Sequence, residues 1–334
     1  MLYFVTLFDK KYLSRGIILY ESLKERCKKP FVLYVLAMDT EVEKFFSTYE
    51  DSELIVESLL DVMECYPNLK DIRKERKEGE FCWTLSPFSV QYIIKKYELP
   101  YCIYLDSDLC FFNDPSELIE QIKGSVLITS HNYTPQYDQS LTSGKFCVQF
   151  MYFKNDDMGM EVLEWWRRKC EEWCFGYMDN GRYGDQKYLD DWESRFSEAV
   201  EVCSDIGCGV APWNCQQYDF IDKDNSYYVK DKISKVSRSL IFFHFHGMTK
   251  LKDGDWIMSG YKLDDNIRNI YRDYIKRLEN IEEHFDKDMK TQGKDNPYII
   301  KNKLRYSLGQ AKIAFNKSFF GKPAYKDNIY NAVK

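Results

Sequence analysis

Two aspartates flanking a serine, Asp106-Ser107-Asp108, close the apolar run Ile103-Tyr104-Leu105, and apolar residues resume at once with Leu109-Cys110-Phe111-Phe112. The pattern predicts a buried strand that delivers two carboxylates at its carboxyl end. At i and i+2 they share one face of an extended backbone, and in a tight turn they converge on one ion. Hard divalent cations such as Mg2+ or Mn2+ take oxygen ligands of this kind and keep positions free for a diphosphate. A bare D-x-D triplet also reads as a solvated turn after a strand, so its surroundings decide.

A second stretch is Ile241-Phe242-Phe243-His244-Phe245-His246-Gly247-Met248-Thr249-Lys250. A His at a strand end, a Gly three later and a Lys three after that supply an imidazole for a metal, a backbone that approaches a phosphate closely, and a cation for its charge. With Asp106 and Asp108, His244 would complete a mixed nitrogen and oxygen site suited to Mn2+. Alone, the His pair reads as a core or surface feature; the predicted sheet edge shared with the Asp triplet favours ligation.

Elements must hold these residues. Residues 3–8 and 31–37 are continuous apolar runs, and residues 12–26 between them carry Ile17, Ile18, Tyr20 and Leu23 at helical spacing. Continuous apolar strands imply burial on both faces, as in a parallel sheet covered by helices. A charged stretch over 41–80 precedes a predicted helix over 87–97 and the strand that ends at Asp106. This alternation predicts an open α/β sheet with ligands at the carboxyl ends of its strands. Further strands are expected over 125–129, 147–153, near Glu201 and over 240–243. The helix over 161–174 carries Trp165, Trp166 and Trp173, read as core in preference to sugar-stacking platforms. From Leu263, Ile267, Ile270, Tyr271, Tyr274, Ile275, Leu278 and Ile281 repeat with a helical period. The expected class is α/β, a Rossmann-like and mainly parallel open sheet flanked by helices over residues 1–260, with a helical extension over 261–334.

The 334 residues are long enough for a substantial core, and 44% are hydrophobic. A net charge of -6 argues against a nucleic-acid partner. From Pro297 onward eight cations face Asp327 alone, a basic and aromatic segment that suits peripheral contact with an anionic membrane or packing on its own body. The eleven Cys, an odd number scattered through apolar segments, read as reduced thiols. Cys170 and Cys174 lack a second zinc-spaced pair. The N-terminus lacks the features of a signal peptide, and no apolar run reaches membrane-spanning length, so the expected location is cytoplasmic.

With these motifs in order, the sequence resembles the nucleotide-diphospho-sugar transferases of GT-A fold, in particular the family 8 type that includes glycogenin and bacterial lipopolysaccharide galactosyltransferases. The resemblance covers roughly residues 1–256. The first strand, with Thr6, runs into Asp9-Lys10-Lys11-Tyr12, which looks like that family's nucleotide-binding opening. Asp106-Ser107-Asp108 looks like its D-x-D motif, and His244-x-x-Gly247-x-x-Lys250 like its H-x-x-G-x-x-K. Asp185-Gln186 resembles its Asp-Gln pair beside the donor sugar, and Trp213-Asn214 a W-N found before the last strand. The segment Trp83-Thr84-Leu85-Ser86-Pro87 departs from the family in carrying no cation.

The resemblance implies metal ligands Asp106, Asp108 and His244; nucleotide and diphosphate contacts from Thr6, Asp9, Tyr12, Asp106, Gly247 and Lys250; and Asp185 and Gln186 at the reacting centre. Asp185 also reads as a helix N-cap. The implied activity is Mn2+- or Mg2+-dependent transfer of a hexose from a nucleotide diphosphate sugar, UDP-linked by preference, to a glycan or glycolipid in cell-surface polysaccharide synthesis, with retention. The alternatives are a sugar-1-phosphate nucleotidyltransferase, disfavoured because Leu7-Phe8-Asp9-Lys10-Lys11 has no Gly, and a non-catalytic binding or scaffold protein.

Overall fold

The computed structural model describes residues 1–223, 226–295 and 329–330. In chain order the first strands are β1 (Leu2–Phe8), β2 (Phe31–Ala37), β3 (Leu54–Ser58), β4 (Tyr101–Leu105), β5 (Leu109–Phe111), β6 (Val126–Ser130), β7 (Phe146–Lys154) and β8 (Val200–Val202). All but β5 form one sheet in the order β3-β2-β1-β4-β7-β6-β8. Its neighbours run parallel except at β7, which lies antiparallel to both β4 and β6. The remaining strands are β9 (Tyr218–Lys223), β10 (Ser226–Asp231), β11 (Ser237–Ser239), β12 (Phe242–His244), β13 (Thr249–Lys250), β14 (Trp256–Ile257) and β15 (Ile329–Tyr330). They form a β11-β10-β9 sheet, a β12-β5 ribbon and a β13-β14-β15 sheet.

The helices are α1 (Leu13–Arg26), α2 (Thr40–Phe46), α3 (Leu59–Cys65), α4 (Leu69–Glu75), α5 (Glu78–Tyr97), α6 (Ser116–Glu120), α7 (Ser140–Ser143), α8 (Asp157–Glu172), α9 (Trp192–Arg195) and α10 (Asp265–Glu283). Side chains along β1 alternate between two cores, as the strand period of two requires. Leu2, Phe4 and Phe8 join Leu13 and Ile17 of α1 and Val42 and Phe46 of α2, while Val5 and Leu7 join Leu85 and Phe88 of α5 and Trp166 of α8. The fold is thus the expected α/β class, a mainly parallel open sheet with helices on both faces. A third core brings Ile267, Tyr271 and Leu278 of α10 against Ile18, Cys110 and Phe243, so the C-terminal helix is packed beside the β12-β5 ribbon.

Two expectations need adjustment. Helix α5 begins at Glu78, well before Pro87, which lies inside the helix. Proline removes an N–H and crowds the preceding turn, but Leu85, Phe88 and Val90 around it are fully buried and hold the segment helical. The stretch 41–80 contains α2, β3, α3 and α4; β3 is a short edge strand whose residues are mostly half-buried, which gives it a weak apolar signature. Trp166 and Trp173 are buried, as the core reading required. All eleven Cys are free thiols. Among the described residues no helix is long and apolar enough to cross a membrane. The basic segment 297–334 lies outside the described residues apart from β15, which pairs with β14.

Candidate active site

The Asp-Ser-Asp triplet is the passage between two sheets. β4 ends at Leu105 in the large sheet, and β5 begins at Leu109 in the ribbon with β12. The Asp106 N–H donates to the Gln149 carbonyl of β7 at 3.0 Å, and the Asp108 carbonyl accepts from the Phe245 N–H at 3.0 Å. Leu109 N–H to the Asp106 carbonyl, 3.3 Å, closes the turn. One aspartate is therefore fixed by β7 and the other by the chain leaving β12. Between them stands His244, the last residue of β12, in register with Leu109.

His244 Nε2 lies 3.0 Å from Asp108 Oδ1 and 3.7 Å from Asp106 Oδ2. Its other ring nitrogen, Nδ1, donates to Gln149 Oε1 at 2.8 Å. The ligand atoms of Asp106, Cys147 and His244 lie within 4.8 Å of one another, as do those of Asp108, His244 and His246, so the two carboxylates belong to two overlapping clusters that share one imidazole. A cation with bonds of about 2.1 Å sets neighbouring ligands roughly 3 Å apart, and the spacing around His244 fits such an ion. Gln149 is the kind of outer partner that orients a ligating imidazole.

Three titrating groups in so small a space perturb one another. Burial raises the Asp108 carboxyl, but the charge and hydrogen bond of His244, helped by His246 and Arg15, overcome this and hold it at about 2. Burial pushes Asp106 up to about 6, with the Asp108 charge adding to the rise and His244 opposing it. Burial works against a charged His244, yet the two carboxylates lift it well above the usual imidazole range.

Beside the triplet opens a cleft of about 170 Å³, lined by Asp106, Cys147, Asp185, Gln186, His244 and His246 and by the rings of Trp83, Tyr133, Tyr183, Trp213 and Tyr261. Asp185 enters it after Gly184, whose positive φ of 53° turns the chain at little cost only because it has no Cβ. Asp185 begins a short 3-10 turn, but its side chain makes no capping hydrogen bond. Its Oδ2 instead accepts from Ser86 Oγ at 3.2 Å, and burial together with the Asp106 charge pushes its carboxyl up to about 7. Gln186 Nε2 donates to the Ser143 carbonyl at 2.7 Å.

Trp213 and Asn214 form a clamp on the strand-end loops. Trp213 Nε1 and Asn214 Nδ2 both donate to the His131 carbonyl at 2.9 Å, and Asn214 also binds the Gly209 carbonyl and the Ala211 N–H. Next to this loop, the Val210 carbonyl accepts from the His244 N–H at 2.9 Å, and the Trp213 ring stands edge-on to both His244 and His246.

The remaining expected residues lie at the start of the chain and beyond His246. Asp9 caps the turn that follows β1 by accepting from the Lys11 N–H. Tyr12 is 42% exposed, and its phenol is pushed up to about 12 by burial and by the Asp108 charge. Thr6 is fully buried on the Phe4 and Phe8 side of β1, and its hydroxyl has no hydrogen-bond partner among the described residues. Gly247 adopts a φ of +77°, and among the described residues none comes near where a Cβ would stand. Lys250 is committed to Glu282 of α10, Nζ to Oε2, at 2.7 Å. Sequence reasoning missed Gln149, Cys147 and Arg15. For Gln149 the signal was a polar residue inside the apolar run of β7, and for Arg15 a lone cation among the buried residues of α1.

No protein-family model matches the sequence. The chain is 29% identical over 287 residues to the uncharacterized protein YfnD of Bacillus subtilis (strain 168), covering 83% of this chain and 88% of that protein. It is 29% identical over 254 residues to the uncharacterized protein YfnF of the same organism, covering 73% and 80%. Among solved structures, the apo WbbM bifunctional glycosyltransferase superposes with a TM-score of 0.50 at 15% identity, covering 84% of this chain and 50% of that one; the chain thus spans about half the length of WbbM. The galactosyltransferase LgtC, in complex with donor and acceptor sugar analogs, gives a TM-score of 0.49 at 10% identity over 84% of this chain and 96% of that one. The mainly parallel seven-stranded sheet flanked by helices matches the GT-A fold, and a C-terminal helix accompanies it.

Proposed function

We propose that the chain is a metal-dependent glycosyltransferase of the family 8 type, moving a hexose from a nucleotide diphosphate sugar, with UDP as the favoured carrier, to a glycan or glycolipid acceptor in cell-surface polysaccharide synthesis. The observation that carries this reading is the meeting of Asp106 and Asp108 on one nitrogen of His244, at the edge of a cleft that also holds Asp185. The glycosyltransferase fold shared with WbbM supports it.

In this reading Asp106, Asp108 and His244 hold Mn2+ or Mg2+, and Gln149 fixes the imidazole. A bound divalent cation would neutralise the negative charge that develops on a diphosphate leaving group. Asp9 and Tyr12 receive the base beside Thr6, and Gly247 lets the backbone approach the phosphates. Lys250 reaches a phosphate only by exchanging its Glu282 partner. Asp185 and Gln186 face the donor sugar, and an Asp185 carboxyl near neutrality can hold or release a proton at the acceptor hydroxyl. The aromatic walls of Tyr133, Tyr183 and Trp213 stack on sugar faces and exclude water. Residues 1–260 form the transferase domain, and 261–334 the extension whose basic segment would meet an anionic membrane.

The deciding experiment is a calorimetric and thermal-shift panel of UDP, GDP, CDP and dTDP with and without Mn2+. Metal-dependent stabilisation by one nucleotide is expected; folded protein that responds to none of them would favour the scaffold alternative.

A further inference from the structure

Arg15 is 5% exposed on the first turn of α1. A guanidinium carries five N–H donors and a permanent charge, and burying it without a counter-ion is costly. Two hydrogen bonds serve it, Nη1 to the Lys11 carbonyl and Nη2 to the Met248 carbonyl, both long at 3.3 Å. Its plane lies over the Tyr12 ring, 4.7 Å from the centroid.

Four other cations near the site are committed to carboxylates: Lys10 to Glu41, Lys11 to Glu78, Lys187 to Asp190 and Lys250 to Glu282. Among the described residues Arg15 has no carboxylate within ion-pairing distance, and it is near enough to Asp108 for their charges to interact. Its two acceptors tie together the turn before Tyr12 and the turn after Gly247, where no other described residue comes near the glycine's Cβ position.

From this we infer that Arg15 is an anion-binding residue of the site, whose guanidinium receives the diphosphate of the donor between Tyr12 and Gly247. The inference rests on the nucleotide-sugar reading above. It assigns to the first helix the positive contact that Lys250, held by Glu282, does not offer, and a planar guanidinium suits phosphate oxygens.

The test is calorimetric binding of UDP, uridine and inorganic pyrophosphate, each with Mg2+, to the wild type, Arg15→Lys and Arg15→Met. Expected is a loss of about 10- to 100-fold for UDP and pyrophosphate in Arg15→Met, a smaller loss in Arg15→Lys, and unchanged uridine affinity. Unfolding of Arg15→Met leaves the Lys variant to decide. Diphosphate affinity that stays at the wild-type level in whichever variant folds overturns the inference, as does an equal loss of uridine and UDP, which would make Arg15 only a support for Tyr12. A wild type that binds none of the four nucleoside diphosphates nor pyrophosphate removes the nucleotide-sugar reading itself, and the inference with it.

Discussion

Gln149 Oε1 accepts from His244 Nδ1 at 2.8 Å, joining the middle of β7 to the end of β12 in a fully buried contact. Because an amide oxygen only accepts, Nδ1–H is the donor to Gln149 whatever the charge on the ring, and Nε2 is the nitrogen that faces Asp106 and Asp108, the one that would give up its proton to a cation. Gln149 Nε2 is itself anchored on Thr129 Oγ1 at 3.3 Å, so the imidazole is held by a short chain reaching into β6. Gln149→Leu should therefore weaken Mn2+ binding by about 10- to 100-fold, read by calorimetric titration, while Gln149→Glu retains it. Equal affinity in the Leu variant would mean that the ring is oriented by packing against Trp213 alone.

Asp108 receives His244 at 3.0 Å, the shorter of the two carboxylate contacts. Asp108→Ala should abolish turnover and the metal-dependent part of nucleotide stabilisation while the protein stays folded, since the turn is held by backbone bonds from Leu109 and Phe245. Circular dichroism and a thermal melt check the fold, and nucleotide-sugar hydrolysis checks the activity. Retained metal-dependent turnover would remove the carboxylate from the site.

Asp185 has a carboxyl raised from an ordinary 3.8 to about 7, by burial first and by the Asp106 charge second. The folded protein then binds this proton more tightly than the unfolded chain does, so its contribution is whole below about pH 4 and lost as pH rises towards 7. Asp185→Asn has no such loss. Its melting temperature relative to wild type should climb between pH 4 and 7 and level off above; a flat difference across that range would show that Asp185 ionises normally.

Glu282, with its side chain 3% exposed, receives Lys250 Nζ at 2.7 Å, Ser14 Oγ at 3.1 Å and the Thr291 hydroxyl. Lys250→Ala strands a buried carboxylate and should cost about 3 kcal/mol in chemical denaturation, with Lys250→Ala/Glu282→Gln recovering most of it. A neutral single variant would show that the serine and threonine hydroxyls suffice for Glu282. The pair also means that donor binding by Lys250→Ala has to be compared with the double variant.

The amino-acid sequence by itself determined the elements and the chemical residues they carry. Residues 2–8, 31–37 and 101–105 are apolar on both faces, and such runs are stable only as covered strands, so the α/β class and the position of Asp106 at a strand end follow from local pattern. His244 was legible for the same reason, as a polar residue closing the apolar β12. Local pattern also misread α5, because the burial that outweighs Pro87 comes from the sheet and from α8, distant in the chain.

Only the tertiary structure decided which groups meet. Gln149 and His244 are separated by 95 positions, Arg15 and Met248 by 233, and Lys250 and Glu282 by 32. The first pair exists because β7 inserts antiparallel between β4 and β6, which brings the Gln149 carbonyl to the Asp106 N–H and its side chain to the ring of His244. The other two exist because the turn beyond β12 lies against both α1 and α10, giving Arg15 a backbone acceptor and Lys250 a buried carboxylate. Hydrophobic periodicity says that a strand is buried but not which strand it will lie beside, and partner, charge balance and proton affinity at this site all depend on that neighbour.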